Sequence, residues 1–279
     1  MAMTRGISGR MLAAHAALIA YTAVAVLPVL FIIMNSFKSR RAIFAAPLAL
    51  PGPGNFDLIG YTSVLAGGSF GTYFLNSLIV TLLSLAGIIV FGSMAAFALA
   101  EYRFRLNTLT GLYLMLGIMI PIRLGTVGIL ELMVGLHLVN TLTALILVYI
   151  ASGLPIAIFV LTEFMRTISD DLKNAGRIDG LSEYEIYYWL ALPLVRPAIA
   201  SVAVFTMIPI WNDLWFPLIL APGDATRTVT LGAQQFIGQY VTNWNAVLAA
   251  LSLSIVPVVV LYLLFSKNLI RGITAGAVK

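Results

Sequence analysis

The chain has 279 residues, 61% of them hydrophobic and only 10% charged, with a mean hydropathy of +1.01 and no cysteine. A soluble domain uses roughly 25% charged residues, so this composition excludes an ordinary soluble globule, and the lack of cysteine excludes disulfides, thiolate metal sites and a cysteine nucleophile. The net charge of +5 fits basic residues flanking membrane spans better than a nucleic-acid surface.

Arg5 and Arg10 precede the apolar run Met11 to Met34, which exceeds the roughly 20 residues a bilayer core requires. A secretory signal would carry an apolar region of only about 7–15 residues, so this run reads as a retained span, about 11–34. Residues 35–72 are punctuated by Pro47, Pro51, Gly52, Pro53 and Gly54 and read as a loop outside the hydrocarbon. Further spans are predicted over about 73–100, 108–131, 142–161, 198–220 and 246–265, giving six helices in a single transmembrane domain over 1–279. The second span offers Gly87, Gly92, Ser93, Ala95, Ala96 and Ala98 for close helix approach. Glu101 to Asn107 reads as a short basic turn, and the third span contains Pro121 and Arg123.

With the N-terminus inside, eleven Lys and Arg fall in cytoplasmic segments and four outside (Lys38, Arg40, Arg41 and Arg227), Arg123 lying within a span. This bias predicts that both termini are cytoplasmic, together with the polar block Ser169 to Pro197. Lys38, Arg40 and Arg41 oppose it locally. The block itself, SDDLKNAGRIDGLSEYEIYYWLALPLVRP, reads as a helix, a tight turn and a second helix. Ser169 with Asp170 and Asp171 forms the cap and first turn, and Leu172, Ala175, Gly176 and Ile178 lie along one side. Gly180 takes the left-handed turn, and Pro193 and Pro197 stop the second helix.

Asn174, Ala175, Gly176, Asp179 and Gly180, followed by Tyr187, Leu190, Leu192, Pro193 and Pro197, resemble the E-A-A-x-x-D-G and I-x-L-P pattern found in cytoplasmic loops of binding-protein-dependent ABC importer permeases. Trp211-Asn212-Asp213 before Phe216-Pro217-Leu218, and the terminal run RGITAGAVK, narrow the resemblance to the carbohydrate branch and its MalG-like subunit. The resemblance implies an all-α integral membrane protein of the type I ABC importer permease fold, with six transmembrane helices and a cytoplasmic coupling helix between spans 4 and 5. It implies a multi-pass protein of the bacterial plasma (inner) membrane that shares a sugar path with a homologous second permease. A dimer of ABC ATPase subunits would bind ATP and Mg, and an extracytoplasmic solute-binding protein would deliver the sugar. This chain has no P-loop of the form GxxxxGK[ST], so no nucleotide or other cofactor is expected on it. The ATPase-coupling residues implied are Asp171, Asn174, Ala175, Gly176, Arg177, Asp179 and Gly180. Asn174 stands where the family has glutamate and Gly176 where it has a second alanine, so an ion pair to the ATPase is reduced to a neutral hydrogen bond.

Arg123 within a span would cost roughly 2.5–3.5 kcal/mol uncompensated. Either it lines the sugar pathway and attracts an anionic sugar, whether sulfonated, phosphorylated or uronic, or it is compensated by Glu131, Asp213 or snorkelling. Trp211, Asn212, Asp213 and Trp215 lie near Pro209 and Pro217. They face an aqueous cavity suited to sugar rings, or they form an interfacial aromatic belt. Gly223 to Asn243 is an outside loop that resembles the segment meeting the sugar-binding protein, or else a solvated connector. His15 and His137 have no metal-ligand spacing, and no paired-carboxylate or serine–histidine arrangement argues for an enzyme. The competing readings are an ABC permease for a non-sugar solute and an ion-coupled secondary transporter, for which Glu131 and Asp213 come nearest to coupling carboxylates. No nucleic-acid partner is expected; membrane lipid is.

Overall fold

A computed structural model describes residues 9–66, 69–237 and 242–277. Arg5, Lys279, the last two residues of the AGAVK run and residues 238–241 of the outside loop lie outside the described residues. The helices are α1 Gly9–Ser36, α2 Arg40–Ala45, α3 Ile59–Ala66, α4 Phe70–Glu101, α5 Asn107–Met119, α6 Thr126–Gly135 and α7 Leu142–Met165, followed by α8 Asp170–Ile178 and α9 Glu183–Leu194. The series ends with α10 Arg196–Asn212, α11 Trp215–Leu220, α12 Val229–Ala233 and α13 Trp244–Ala277. The fold is all-helical, as expected; among the described residues only isolated β-bridges occur.

Among the described residues three helices, α1, α4 and α7, are long and apolar enough to cross a membrane unaided, and up to five spans result if each bent pair counts as one. The third expected span is not a continuous helix. It is α5 and α6 bent by 85° around a 3₁₀ turn Ile122–Gly125. Ile120 before Pro121 is forced into extended backbone, φ −85° and ψ 114°, and Pro121 has no N–H to continue the ladder. The fifth is likewise interrupted: α10 ends at Asn212, and Asp213 at φ −69°, ψ 135° leads into α11. Pro197 opens α10 in its first turn instead of stopping the preceding helix, and the 74° bend between α9 and α10 falls at Val195.

Contacts divide the chain into two compact units, one drawn from Met1–Gly68 with Ala233–Leu253 and the other from Ser69–Gly232 with Ser254–Lys279. In the first, the Lys38 ammonium is fully buried and donates to Asn35 Oδ1 (3.1 Å), the Ala46 carbonyl (3.1 Å) and the Pro47 carbonyl (3.0 Å). All three of its N–H donors are thereby satisfied without a carboxylate. Asn245 donates to the Lys38 carbonyl at 2.7 Å, and Gly60 lies so close to the Asn245 backbone that a Cβ would sit 2.3 Å from its carbonyl oxygen.

In the second unit α4 packs along α7. Two of the small residues predicted to allow this do so: a Cβ at Gly92 would lie 2.9 Å from that of Ala157, and one at Gly87 would lie 2.5 Å from Ile150 Cδ1. Gly153 on α7, not among those predicted, does the same from the other side, 2.4 Å from Ile88 Cδ1. Val80, Ile88, Ala96, Leu145, Val148, Leu161 and Met165 form the core between them, joined by Ile186, Ala191 and Ala198 from α9 and α10. The polar block is thus bolted to the α4–α7 pair by apolar contacts as well as by charge. Helix α5 buries none of its residues within the chain.

Candidate functional site

The polar block is built as its sequence prescribes. Ser169 accepts a hydrogen bond from the Asp171 amide, and Asp170 and Asp171 occupy the first turn of α8. The helix ends in a Schellman closure: the Leu181 amide donates to the Gly176 carbonyl (3.0 Å), the Gly180 amide to the Arg177 carbonyl (3.1 Å), and Gly180 has φ +87°. A capping box between Ser182 and Glu185 then starts α9, whose stretch Ile186–Ala191 winds as a π-helix.

The inward and outward faces of α8 differ from the expected ones. Lys173 and Gly176 are buried, whereas Leu172 and Ile178 point outward, Ile178 being 86% exposed. Gly176 packs under Leu190, Leu181 and Ile186, so it seats α8 on α9 and leaves no backbone open there. Ala175, Asp179, Gly180, Asp171 and Asn174 are exposed. The outward surface is therefore a small-residue corner flanked by two apolar side chains.

Behind that corner lies a charge cluster that the sequence reading passed over as a basic turn. Glu101, the last residue of α4, has a side chain only 10% exposed and accepts hydrogen bonds from both Lys173 (8% exposed) and Arg177. Arg177 also grips Glu183 through two nitrogens (2.7 and 3.1 Å) and donates to Asn174 Oδ1 at 2.9 Å. Tyr102 adds a hydrogen bond to Glu183 at 3.0 Å, and Lys173 a second ion pair to Asp170 at 2.8 Å. Asn174 and Arg177, expected to face an ATPase, are thus engaged within the chain. The available sequence signal was a carboxylate closing a long apolar span, the one charged residue on its helix.

The hydrogen bonds from Arg177 hold the Glu183 carboxyl below its ordinary 4.5, against a smaller upward push from burial. Burial lowers Lys173, but its bonds to Asp170 and Glu101 outweigh that and leave it above its ordinary 10.5. Glu183 therefore stabilises the fold above pH 4.5 and loses that contribution as pH falls through its depressed value. Lys173 contributes fully below pH 10.5 and loses its share as pH rises through its raised value. Amide exchange across Asp170–Ile178 is expected to follow its intrinsic pH trend from about pH 5 to 10 and to accelerate beyond it outside that window. Excess acceleration near neutrality would contradict the ionic clamp.

A second site lies at the two broken spans. A cavity of about 270 Å³ is lined by Arg123, Tyr149, Ser152, Thr206, Asp213 and Phe216 among others. Arg123 sits in the 3₁₀ turn at the α5–α6 bend, 67% exposed, with Nη2 3.6 Å from Asp213 Oδ1 and its guanidinium 5.9 Å from the Trp215 ring centre. Arg123 lines this cavity and is paired with Asp213, one of the two carboxylate partners considered for it. Glu131, the other partner considered, is exposed. The Asp213 carboxylate, 10% exposed, accepts from Tyr149 OH at 2.9 Å and from the Trp215 and Phe216 amides (3.2 and 3.1 Å), capping α11. Trp215 Nε1 donates to Thr126 Oγ1 at 3.0 Å. Trp211 does not face this cavity: it is buried, bonded to the Ser254 carbonyl (3.0 Å) and edge-on to Phe74. Asn212 is exposed and bonds back to the Ile208 carbonyl.

Residues 88–275 match the family model described as binding-protein-dependent transport system inner membrane component. The chain is 36% identical over 260 residues (93% of this chain, 94% of the relative) to the putative ABC transporter permease protein ORF2 of Caldicellulosiruptor sp. strain Rt8B.4. It is 30% identical over 264 residues (94% and 87%) to the diacetylchitobiose uptake system permease protein NgcG of Streptomyces coelicolor. Its fold is similar to a chain in the crystal structure of a bacterial ABC transporter involved in import of the acidic polysaccharide alginate, with a TM-score of 0.81, 20% identity and coverage of 96% of this chain and 100% of that one. An all-helical chain with spans long enough for a bilayer, a braced polar corner and a match over two thirds of its length thus belongs to the family of multi-pass inner membrane permease components of binding-protein-dependent ABC transport systems.

Proposed function

We propose that this chain is one of two permease subunits of an ATP-driven importer for a carbohydrate. Its corner around Gly180 seats in a nucleotide-binding subunit on the cytoplasmic side, where both termini also lie. The observation that carries this reading is the two-sidedness of α8. Ile178, Leu172, Ala175 and Asp179 face outward, while Lys173, Arg177 and Gly176 tie the helix to α4 and α9 from behind. An amphipathic loop that merely packed on its own bundle would bury Leu172 and Ile178 and leave its lysine in water. Turned this way, the apolar pair supplies contact area for a partner, and the ion cluster makes the seated helix a stiff arm on α4.

ATP and Mg belong to the ATPase subunits in this reading. Docking rests on shape, on Asp171 and Asp179 and on the apolar pair, since Asn174 and Arg177 are engaged within the chain. The diacetylchitobiose uptake named for the Streptomyces relative supports a sugar cargo, delivered by an extracytoplasmic binding protein and shared with a homologous second permease. Arg123 and Asp213 lie on the sugar path; Trp211 and Asn212 shape it through the α10 end without facing the cavity.

Reconstitution of the complex in liposomes tests the reading. Sugar uptake should require ATP and the ATPase subunits, and Ile178→Asp should weaken ATPase binding to the permeases while leaving them folded. Uptake driven by an ion gradient without ATP would overturn it.

A further inference from the structure

The net charge of the cavity at the two broken spans decides what class of sugar it takes. Asp213 is anchored by Tyr149 OH and by the two amides it caps, so its negative charge is fixed in the wall. Arg123 is the movable member, 67% exposed, and at 3.6 Å it is paired with Asp213 without a close hydrogen bond, leaving guanidinium donors unused. The two charges cancel within one wall. An anionic sugar would have to draw Arg123 away from Asp213 and then sit against an uncompensated carboxylate, a like-charge juxtaposition that disfavours it. A neutral sugar meets no such penalty: its hydroxyls donate to the carboxylate and accept from the guanidinium, and Phe205 and Phe216 in the cavity wall offer apolar surface for a ring. Trp215, with the guanidinium over its ring, senses any movement of Arg123. The volume of about 270 Å³ lies just below the usual range for ligand pockets, roughly 300–1,000 Å³, and admits a single sugar unit of a longer chain.

We infer that this subunit itself holds a subsite for one neutral sugar unit, in which Asp213 and Arg123 bind hydroxyls as a charge-cancelled pair and Asp213 excludes uronic and sulfonated sugars. This inference rests on the carbohydrate reading above. It reverses the simpler expectation that an arginine in the path attracts anions.

The test uses the complete transporter in liposomes with its own binding protein, a panel of neutral gluco-disaccharides and the matching uronic acids. Wild type should carry neutral members. Asp213→Asn keeps an N-cap acceptor for α11 and leaves Arg123 unpaired, so the ratio of uronic to neutral uptake should rise about tenfold or more. Sugar-dependent quenching of Trp215 fluorescence in detergent, absent in Trp215→Phe, gives a second measure of occupancy that does not depend on turnover. Wild-type preference for the uronic sugars, or a ratio unmoved by Asp213→Asn with no Trp215 response, overturns the subsite while leaving a sugar importer. Failure of wild type to carry any sugar overturns the carbohydrate reading and the subsite with it.

Discussion

Substituting Glu101 with Ala is expected to let the partner ATPases hydrolyse ATP while sugar uptake per ATP collapses. The carboxylate is 10% exposed and is the one group that joins the end of α4 to both basic residues of α8. Removing one member of a buried ion pair typically costs about 3–5 kcal/mol, because the partner is left desolvated. Lys173 keeps only the exposed Asp170, while Arg177 keeps Glu183, so α8 stays attached to α9 and loosens from α4. The helix would still dock, but its movement would no longer reach the span. Uptake and phosphate release measured on the same liposomes give the ratio, and Glu101→Gln, which retains one acceptor, should fall between. A wild-type ratio in Glu101→Ala would remove Glu101 from the coupling route.

The largest loss of folded protein is expected from Gly92→Leu. A Cβ there lies 2.9 Å from the Cβ of Ala157 on the facing helix, and neither atom can rotate away. The α4–α7 pair must separate, with a cost at or above the roughly 1–3 kcal/mol of ordinary overpacking. Gly153→Ala meets a side chain and no backbone, Ile88 Cδ1 at 2.4 Å and Cγ1 at 2.9 Å. It should be milder, and partly rescued by Ile88→Ala, which removes both close atoms, since residues in contact couple in double-mutant cycles. Thermal unfolding in detergent, with yield from membranes, orders the three variants. Equal stability of Gly92→Leu and Gly153→Ala would mean that the helices are not packed this closely.

Apolar runs, small residues and caps are local features, and they were legible: α1, α4, α7, the Ser169 cap and the Gly180 turn stand where the sequence places them. The break of the third span was foreshadowed by Pro121, yet hydropathy alone is blind to a bend of 85°, because the residues remain apolar across it. What was illegible depends on long-range pairing. Glu101 and Lys173 are 72 positions apart, and no pattern within either segment reveals that one neutralises the other. The same holds for Ile178 and Leu172, whose outward direction follows from Lys173 being drawn inward. Trp211 read as a cavity-facing or an interfacial aromatic because composition cannot distinguish either from a ring wedged against Phe74.

Lys38 gives the chain a second response to alkali, opposite in sign to that of the polar corner around Gly180. Desolvation lowers its affinity for a proton below that of a free lysine, and no carboxylate offsets the loss, so raising the pH toward 10.5 relieves a burden on its loop before stronger base unfastens Lys173. Exchange protection around residues 35–47 should therefore improve in mild base relative to that of α8, making this unassuming lysine an internal reference against which alkaline loosening elsewhere in the permease can be read.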